Sequence, residues 1–444
     1  MQSQICLKIN ACLSEDGFSL DELVVAIREL FSREAEGGMA ALASFILRLY
    51  EEVLVGKYLE GRCACECGEP RKWELKDRRP RSFRTGLGKI VLRLRRMRCR
   101  GCGKTQVPLL RKLKVAAWQS KTSELQKTVE EVVGNQTYRR SEKEIKSLMS
   151  VDIPHSTLHR WVVESDDGES DKIAAGVPAP AAIYADGTCY KGRDGKGRAK
   201  EGDLKVVFGV AESGHPIHLG VWSGESWAEV ARELREGTLS GAAPAKLLLS
   251  DGELGIASHL SSLAEDHQRC HWHAVRDLNH TAWQDEAPLA ERKKLKKELA
   301  GLLAVELPAG DFEKVPEHDK EDVRLQMFEA EKSLAKFADS LDNRGFSTAA
   351  DYVRRAFKGA FGYVRTWLKY GIVCHRASSL VERLMRELAR RIKRIAYGWK
   401  ERGVQRVASI IVRQVHDPKA WEDYWSKRIR LDGNVLLTLR SVGL

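Results

Sequence analysis

The segment Ala245-Lys246-Leu247-Leu248-Leu249-Ser250-Asp251-Gly252 is a short apolar run that ends abruptly in an acid and a glycine. An apolar run of this length, bounded by a turn signal, predicts a buried strand. The stretch Ala181-Ala182-Ile183-Tyr184-Ala185-Asp186-Gly187-Thr188 repeats the design upstream. Open α/β folds place their sites where strands leave the sheet. The two acids, Asp186 and Asp251, therefore predict a divalent metal held by carboxylates.

The composition indicates a globular, basic protein. With 444 residues, 43% of them hydrophobic and 31% charged, the chain fits two to four domains. The formal net charge of +12 favours a polyanionic partner, most simply nucleic acid, although a basic protein without such a partner fits the charge equally well. No apolar run approaches the about 18 residues of a membrane span, and the N-terminus lacks signal-peptide features. We therefore expect a cytoplasmic, nucleoid-associated protein.

Strand-like and helix-like segments alternate between residues 181 and 280. Strands are predicted at 183–190, 204–211, 216–222, 246–250 and 269–272, and helices at 227–235 and 256–263. Three strands, a helix, a strand, a helix and a strand form the order of an RNase H-like core. In that fold the first and fourth strands are neighbours at the sheet centre, so Asp186 and Asp251 would meet. A helical pattern follows over 281–372, and the fold class is multidomain α/β.

Five of the ten cysteines lie between Cys63 and Cys102. In a cytosolic protein such clustering favours metal over disulfides. The knuckles Cys63-Ala64-Cys65-Glu66-Cys67 and Cys99-Arg100-Gly101-Cys102, joined by β-like sequence, predict a zinc ribbon. The first knuckle is irregular, which leaves the choice among Cys63, Cys65 and Cys67 open. We select Cys65, Cys67, Cys99 and Cys102 as ligands of one structural Zn²⁺; the alternative is a group of unbound thiols in a β-hairpin.

Two segments are candidates for contact with double-stranded DNA. In the stretch 90–98, leucines alternate with basic residues, so a basic strand face could neutralise phosphates through Arg93, Arg95, Arg96 and Arg98. A solvated face, the alternative, usually carries both signs of charge. Residues 119–168 predict three short helices, with capping boxes at Ser123 and Gln126 and at Ser141 and Glu144. These helices fit a helix-turn-helix, although any three-helix bundle can look similar. The last helix of a helix-turn-helix would present four residues to a major groove: Ser156, Thr157, His159 and Arg160.

A metal held by two acids invites a third ligand, for which Glu382 is the best candidate. It begins a predicted helix that also carries Arg386, Arg390 and Arg391, which could hold DNA phosphates. Ser379 and Glu382 also fit a capping box, in which the glutamate binds its own helix end. Other acids near the motifs (Asp203, Glu253, Asp277 and Glu387) are left out because surface acids mostly face solvent.

Four motifs occur in a fixed order: Tyr184-Ala185-Asp186-Gly187-Thr188, Ser250-Asp251-Gly252, Cys270-His271-Trp272-His273 and Ser379-Leu380-Val381-Glu382-Arg383. Together they resemble bacterial and archaeal insertion-sequence transposases of the DDE type related to Mutator elements. The resemblance covers most of residues 61–415, and the irregular first cysteine knuckle departs from it.

The resemblance implies an RNase H-like catalytic domain with an all-helical insertion before the final glutamate. It implies that Asp186, Asp251 and Glu382 are catalytic and hold two Mg²⁺ or Mn²⁺ ions. These ions would supply an activated water and stabilise the leaving oxygen during cleavage and strand transfer. Cys270 and His273 resemble the family's Cys-x-x-His pair, which we expect to support the active site structurally; contact with DNA is the alternative. The expected partners are the element's terminal repeats, target DNA and a second copy of the chain, as a homodimer or higher oligomer.

The expected organisation is an N-terminal helical region (1–60), a zinc-ribbon-like module (61–118), a helix-turn-helix domain (119–168), the catalytic core (181–280), a helical insertion (281–372) and C-terminal core helices with a tail (373–444). No Gly-rich phosphate loop occurs, so nucleoside triphosphate use is not expected. Two alternatives to a transposase stay open. One is an RNase H-fold nuclease that does not join strands, and the other is a domesticated DNA-binding protein without catalysis.

Overall fold

The computed structural model describes residues 38–67, 73–113, 115–116, 118–149, 151–165, 179–376, 379–395 and 398–429, and for 379–382 it describes the backbone alone. Residues 1–37 of the predicted N-terminal helical region therefore lie outside it. The chain divides into two compact units, Met1–Trp161 with Glu422–Leu444, and Val162–Trp421. In the described ranges no helix is both long and apolar enough to cross a membrane.

The first unit contains a small antiparallel sheet covered by a helix. Helix α1 (Met39–Leu59) lies against β1 (Trp73–Thr85) and β2 (Gly88–Cys99), and a short β3 (Thr105–Gln106) completes the order β1-β2-β3. The alternation in β2 buries Ile90, Leu92 and Leu94, and Leu54 of α1 joins the same apolar cluster. The apolar face of β2 thus packs on α1, and Lys89, Val91 and Arg93 lie exposed between the buried positions.

A short α2 (Pro108–Lys112) precedes three helices, α3 (Ser123–Asn135), α4 (Tyr138–Met149) and α5 (His155–Glu164). Both predicted capping boxes in this region are wrong. The Thr122 hydroxyl, one residue earlier than Ser123, accepts a hydrogen bond from the Leu125 N–H at 3.4 Å. Ser141 lies inside α4 and donates to the Thr137 carbonyl at 3.0 Å. In each case a threonine just upstream of the helix supplies the cap.

The second unit is built on a five-stranded mixed sheet in the order β6-β5-β4-β7-β8. The strands are β4 (Ala182–Arg193), β5 (Ala199–Val210), β6 (Pro216–Ser223), β7 (Ala245–Ser250) and β8 (Ala264–Arg269). The first three strands are antiparallel neighbours, whereas β7 runs parallel to β4 and to β8. The expected mixed α/β architecture is confirmed.

Two helices cover one face of this sheet. Helix α6 (Trp227–Glu233) begins with a capping box formed by Ser226 and Glu229 and continues into a π-helical turn, Leu234–Thr238. Helix α7 (Leu254–Leu260) follows β7. Trp227, Val230 and Ile256 from these helices share an apolar cluster with Ile183 and Leu248 of the sheet. This cluster is the core beneath the strands that carry the two acids.

The last strand differs from the prediction at 269–272. Strand β8 covers Ala264–Arg269, and the following residues start α8 (His271–Gln284). The sequence of β8 is polar, and its buried residue is Gln268. The Gln268 side chain can be buried in this strand because it accepts a hydrogen bond from the Tyr363 N–H at 2.7 Å. A search for apolar runs misses such a strand.

Helices make up the remainder of this unit. They are α8, α9 (Leu289–Leu302), α10 (Glu317–Asn343), α11 (Ser347–Ala356), α12 (Gly362–Tyr370), α13 (Ser379–Ala389), α14 (Glu401–His416) and the start of α15 (Pro418–Ile429). A π-helical turn, Arg390–Ile395, extends α13. Helix α13 packs against β4, and α14 packs against β6.

Candidate active site and metal-binding cysteine cluster

The strand register brings the two predicted acids together. Strands β4 and β7 are parallel, with Tyr184 opposite Leu249 and Ala185 opposite Ser250. One further step along both strands reaches Asp186 and Asp251. Asp186 lies within β4 with 8% of its surface exposed, and Asp251 is half-buried directly after β7. Acids 65 positions apart in the chain are thus neighbours at the centre of the sheet.

The position of Asp186 makes its negative charge unfavourable. Burial, and next the charge of Asp251, raise the pKa of Asp186 to about 7 from its usual 3.8. A hydrogen bond from the Gly187 N–H and, next, the charge of the Arg276 guanidinium oppose this shift but do not cancel it. A cation bound between the two acids would stabilise their charged forms, because opposite charge lowers a carboxyl pKa. The oxygen donors are also the type that Mg²⁺ and Mn²⁺ prefer. The two carboxylates are therefore donors of the type that such a cation binds, but in the described part of the chain they do not belong to a group of three or more side chains that could hold a metal.

The turn after Asp251 depends on glycine. Gly252 has a φ of +103°, and a Cβ at this position would overlap Arg269 Nε. The Glu253 N–H donates to Asp251 Oδ1 at 2.9 Å, which fixes the orientation of that carboxylate. The Asp-Gly pair thus combines a left-handed turn with a side-chain hydrogen bond, as such turns commonly do.

One further acid reaches this site. A Cβ placed on Gly187 would lie 3.2 Å from Glu253 Oε2, so the Glu253 carboxylate extends from the turn after β7 to the residue beside Asp186. Its charge also contributes to the raised pKa of Asp186. In the sequence, the feature that could have identified Glu253 as a site residue is its position two residues after Asp251. This position did not distinguish it from the other acids near the motifs.

Glu382 lies on α13, the helix that packs against β4. Its side chain is outside what the structure describes, so both the ligand and the capping assignments stay predictions. Among the arginines of this helix and its π-helical extension, Arg391 is fully buried with its guanidinium 4.9 Å from the Trp399 ring centre. The expectation that Arg391 holds DNA phosphates is therefore wrong, because solvent does not reach it. Arg386 is exposed.

Cys270 and His273 lie where α8 begins beside the acid pair. The Cys270 N–H donates to the Ser250 carbonyl at 2.7 Å, which ties the start of α8 to the residue before Asp251. Both side chains are buried, and burial lowers the pKa of His273. In the part of the chain that the structure describes, neither residue belongs to a group of three or more side chains that could hold a metal.

The four cysteines selected from the sequence converge. The sulfur atoms of Cys65, Cys67, Cys99 and Cys102 all lie within 4.8 Å of one another. Two of the distances, Cys65 to Cys102 and Cys67 to Cys99, are 3.6 and 3.8 Å. A tetrahedron with Zn–S bonds of 2.3 Å has edges of about 3.8 Å. Cys63 lies outside the group, and its carbonyl accepts a hydrogen bond from Trp73 Nε1 at 2.8 Å. These four thiols could hold a structural zinc ion.

The electrostatics of the cysteine group also suit a metal. Hydrogen bonds from the backbone N–H groups of Cys102, first, and of Gly101 lower the pKa of the Cys99 thiol to about 7 from its usual 9. A thiol with a lowered pKa is a better metal ligand because the thiolate is the binding form. The backbone N–H groups of the second knuckle therefore favour the thiolate form of Cys99.

The basic residues of β2 fall into two pairs. Arg93 and Arg98 are exposed, and neither has an ion pair with any described residue. Arg95 lies 3.4 Å from a carboxylate oxygen of Glu52, and Arg96 forms an ion pair with Asp77. Two of the four arginines are thus partly neutralised within the chain, which leaves Arg93 and Arg98 as the stronger candidates for phosphate contact.

Helix α5 presents the residues that the helix-turn-helix prediction selected. Ser156, His159 and Arg160 are exposed, and Thr157 is half-buried. Leu158 and Val162 on the opposite side are fully buried. The helix therefore has one face in the core and one polar face open to solvent.

No family model matches the chain, and no curated protein matches it. Among solved structures, the chain is similar to the Drosophila P element transposase strand transfer complex, with a TM-score of 0.40 and 12% identity over 70% of this chain and 96% of that chain.

Proposed function

We propose that this chain is a DDE-type DNA transposase with Asp186, Asp251 and Glu382 as its catalytic carboxylates. The observation that carries the proposal is the parallel register of β4 and β7, which sets a buried Asp186 beside Asp251 at the centre of the sheet. Paired carboxylates whose environment raises one pKa strongly are a frequent feature of active sites. The packing of α13 against β4 is consistent with a contribution from Glu382.

The strand order supports an RNase H-like core. Three antiparallel strands followed by two parallel strands, in the order β6-β5-β4-β7-β8, match the arrangement expected for that fold. Helices α9 to α12 separate this sheet from α13, as an all-helical insertion before the final glutamate would. We keep 181–280 as the first part of the core, 281–372 as the insertion and 373–444 as the C-terminal core helices with a tail, of which Glu422–Leu444 groups with the first unit.

Divalent cations complete the proposed chemistry. Two Mg²⁺ or Mn²⁺ ions, when bound, would provide an activated water and stabilise the leaving oxygen at a phosphodiester. The residues of the chain would hold these ions through Asp186 and Asp251, with the Glu253 N–H keeping the Asp251 carboxylate oriented. No covalent intermediate with the protein is required.

The first unit supplies candidates for DNA binding. We propose that a zinc-ribbon-like module (61–118) and a helix-turn-helix (119–168) recognise the terminal repeats, with the expected N-terminal helical region (1–60) before them. The four-cysteine group could hold Zn²⁺, and the exposed Arg93, Arg98 and Arg160 favour contact with phosphates. Pairing of two DNA ends would require a homodimer or higher oligomer of this protein, which we expect to act at the nucleoid.

The test is a strand-transfer assay with Mg²⁺ on labelled duplexes taken from the DNA that flanks the coding sequence. Cleavage at one defined position, followed by joining of the freed 3′ end to a second duplex, is the expected result. Cleavage without joining would instead identify an RNase H-fold nuclease. DNA binding with neither reaction would identify a non-catalytic DNA-binding protein and overturn the proposal.

A further inference from the structure

We propose that Trp272 and Arg276 form a stacking site for an unpaired nucleobase next to the phosphodiester held at the carboxylate pair. This inference rests on the proposed function and adds a DNA contact that the catalytic assignment does not include. Trp272 is 49% exposed, whereas its neighbours His271 and His273 are 8% and 7% exposed. A large aromatic side chain that is open to solvent between two buried residues contributes little to the core.

The position of Trp272 is fixed close to the two acids. It is the second residue of α8, and the hydrogen bond from the Cys270 N–H to the Ser250 carbonyl ties that end of the helix to the strand leading into Asp251. The His273 ring meets the Trp272 ring nearly at right angles, with 4.8 Å between ring centres. The charge of Asp251 acts on His273, and that of Arg276 acts on Asp186. The end of α8 that carries Trp272 is thus tied to the residue before Asp251, and Arg276, which contacts the Trp272 ring, is close enough to Asp186 for its charge to act on that acid.

A series of charged contacts holds Arg276 in place. Its guanidinium carbon lies 5.4 Å from the centre of the Trp272 ring, and its Nε donates to Asp277 Oδ1 at 2.8 Å. Asp277 Oδ2 accepts a second hydrogen bond, from Arg269 Nη2, at 2.7 Å. Arg269 in turn lies over the Tyr352 ring, at 5.1 Å from its centre. The Trp272 ring and the Arg276 guanidinium thus hold their relative positions before a ligand binds, so less side-chain entropy is lost on binding.

The chemistry of this pair fits a nucleobase better than other ligands. Every base has a π-face that can stack on an aromatic side chain, and an arginine beside the ring adds a cation–π contact or a phosphate contact. The Arg276 side chain, 53% exposed, also places positive charge where the acid pair would otherwise repel a DNA strand. Stacking requires a base outside the duplex, so the site would favour frayed or single-stranded DNA at the cleavage position. It would read no particular sequence.

The same helix provides a matched control. Trp283 is 58% exposed and stacks on His280, with ring centres 5.7 Å apart and planes 21° from parallel. It lies eleven residues after Trp272, which is about 16 Å along a helix axis. Loss of this exposed tryptophan should remove a similar area of aromatic surface without affecting a base at the acid pair.

The experiment uses the full-length protein and a duplex with a short unpaired 3′ extension that carries 2-aminopurine. Wild-type protein and Trp283→Ala should quench the 2-aminopurine fluorescence. Trp272→Ala should lose the quench and bind the extended DNA about tenfold more weakly, a factor that corresponds to about 1.4 kcal/mol. Trp272→Phe should keep most of the affinity, and all four proteins should bind a blunt duplex equally.

The outcomes separate this inference from the proposed function. Unchanged quenching and affinity in Trp272→Ala, or no quenching by the wild-type protein, would overturn the stacking site. Mg²⁺-dependent cleavage of the same DNA is measured in parallel. If the wild-type protein cleaves the DNA but Trp272→Ala still quenches the fluorescence, the proposed function stands and the stacking site is wrong. If quenching depends on Trp272 but no cleavage occurs, the stacking site stands and the proposed function is wrong.

Discussion

Ala185 on β4 lies directly opposite Ser250, the last residue of β7, and in both segments the next residue along the chain is an aspartate. Because the two strands are parallel, their side chains advance in step, and Asp186 and Asp251 are brought to the same level of the sheet. Burial and mutual repulsion then raise the pKa of Asp186 to about 7. The site is therefore unfavourable for the fold when it is empty and favourable for a cation.

The first prediction is that Asp186→Asn stabilises the protein without divalent cations at high pH. The pKa of Asp186 is about 7 in the folded state against an ordinary value of 3.8, so between these pH values the folded state binds the proton more tightly. The folded state thus loses stability as pH rises through this window, and the loss is complete above pH 7. Asparagine does not ionise, so at pH 8 the variant should be more stable by about 2–4 kcal/mol, and at pH 3 equally stable.

Chemical denaturation with EDTA at several pH values measures this difference. Added Mg²⁺ should stabilise the wild-type protein more than the variant, because the cation binds the charged acids. A variant no more stable than the wild-type protein at pH 8 would contradict the environment assigned to Asp186.

A second prediction concerns the four cysteines. Protein purified without chelators should contain about one zinc per chain, and Cys99→Ser combined with Cys102→Ser should remove it, since two of four ligands are lost. Structural zinc can contribute on the order of 10 kcal/mol to a small module, so the variant should also unfold this region. Elemental analysis and hydrogen exchange measure both effects. Cys63→Ser is the matched control and should retain zinc, because Cys63 lies outside the group; its loss of zinc would refute the ligand assignment.

A third prediction tests the turn after Asp251. Gly252→Ala should lower the free energy of unfolding by about 2–4 kcal/mol, because alanine disfavours a φ of +103° and its Cβ would displace the Arg269 guanidinium from its hydrogen bond to Asp277 and from the Tyr352 ring. Gly214→Ala is the control: Gly214 has a φ of +78°, and a Cβ placed there would meet nothing within 4 Å, so the loss should be only about 1 kcal/mol. Equal losses in urea denaturation would show that contact with Arg269 has no part in the requirement.

Much of the site could be predicted from the sequence, because its signals are local. Asp186 and Asp251 each end or interrupt an apolar run, and a register inferred from the order of strands brings them together. Strand β8 could not be predicted, since Gln268 is satisfied by Tyr363, which is 95 positions away. The predicted capping residues, Ser123 and Ser141, were also wrong. Thr122 and Thr137, one and four residues earlier, carry hydroxyl groups that can cap the same helices, and the sequence does not distinguish between them. Contacts distant in sequence leave no local pattern.

A fourth prediction concerns the basic strand. Arg93→Ala should weaken binding to a duplex of unrelated sequence and reduce the slope of log affinity against log salt concentration by about 0.9, the value for one phosphate contact. Arg198→Ala is the control, since Arg198 is also exposed but pairs with Asp194 at 3.0 Å in the other unit. A slope that is unchanged by Arg93→Ala in fluorescence anisotropy titrations would exclude phosphate contact at this position.

The fifth prediction separates the two roles of Glu382. A capping glutamate accepts a hydrogen bond that glutamine can largely reproduce, so Glu382→Gln would then change stability by at most about 1 kcal/mol and leave catalysis intact. A metal ligand must supply negative charge, which glutamine lacks. We therefore expect Glu382→Gln to keep its melting temperature and its DNA binding and to lose catalysis, as Asp251→Asn should.

Strand transfer in Mg²⁺ by Asp251→Asn and Glu382→Gln tests the central claim most directly. Both variants should bind DNA normally and transfer strands at least about a thousandfold more slowly than the wild-type protein, on the scale of several kcal/mol of lost metal stabilisation. Glu201→Gln, which changes an exposed acid of β5, should retain wild-type activity. Near-normal strand transfer by Asp251→Asn would contradict the proposed active site, and near-normal transfer by Glu382→Gln alone would return Glu382 to the capping role.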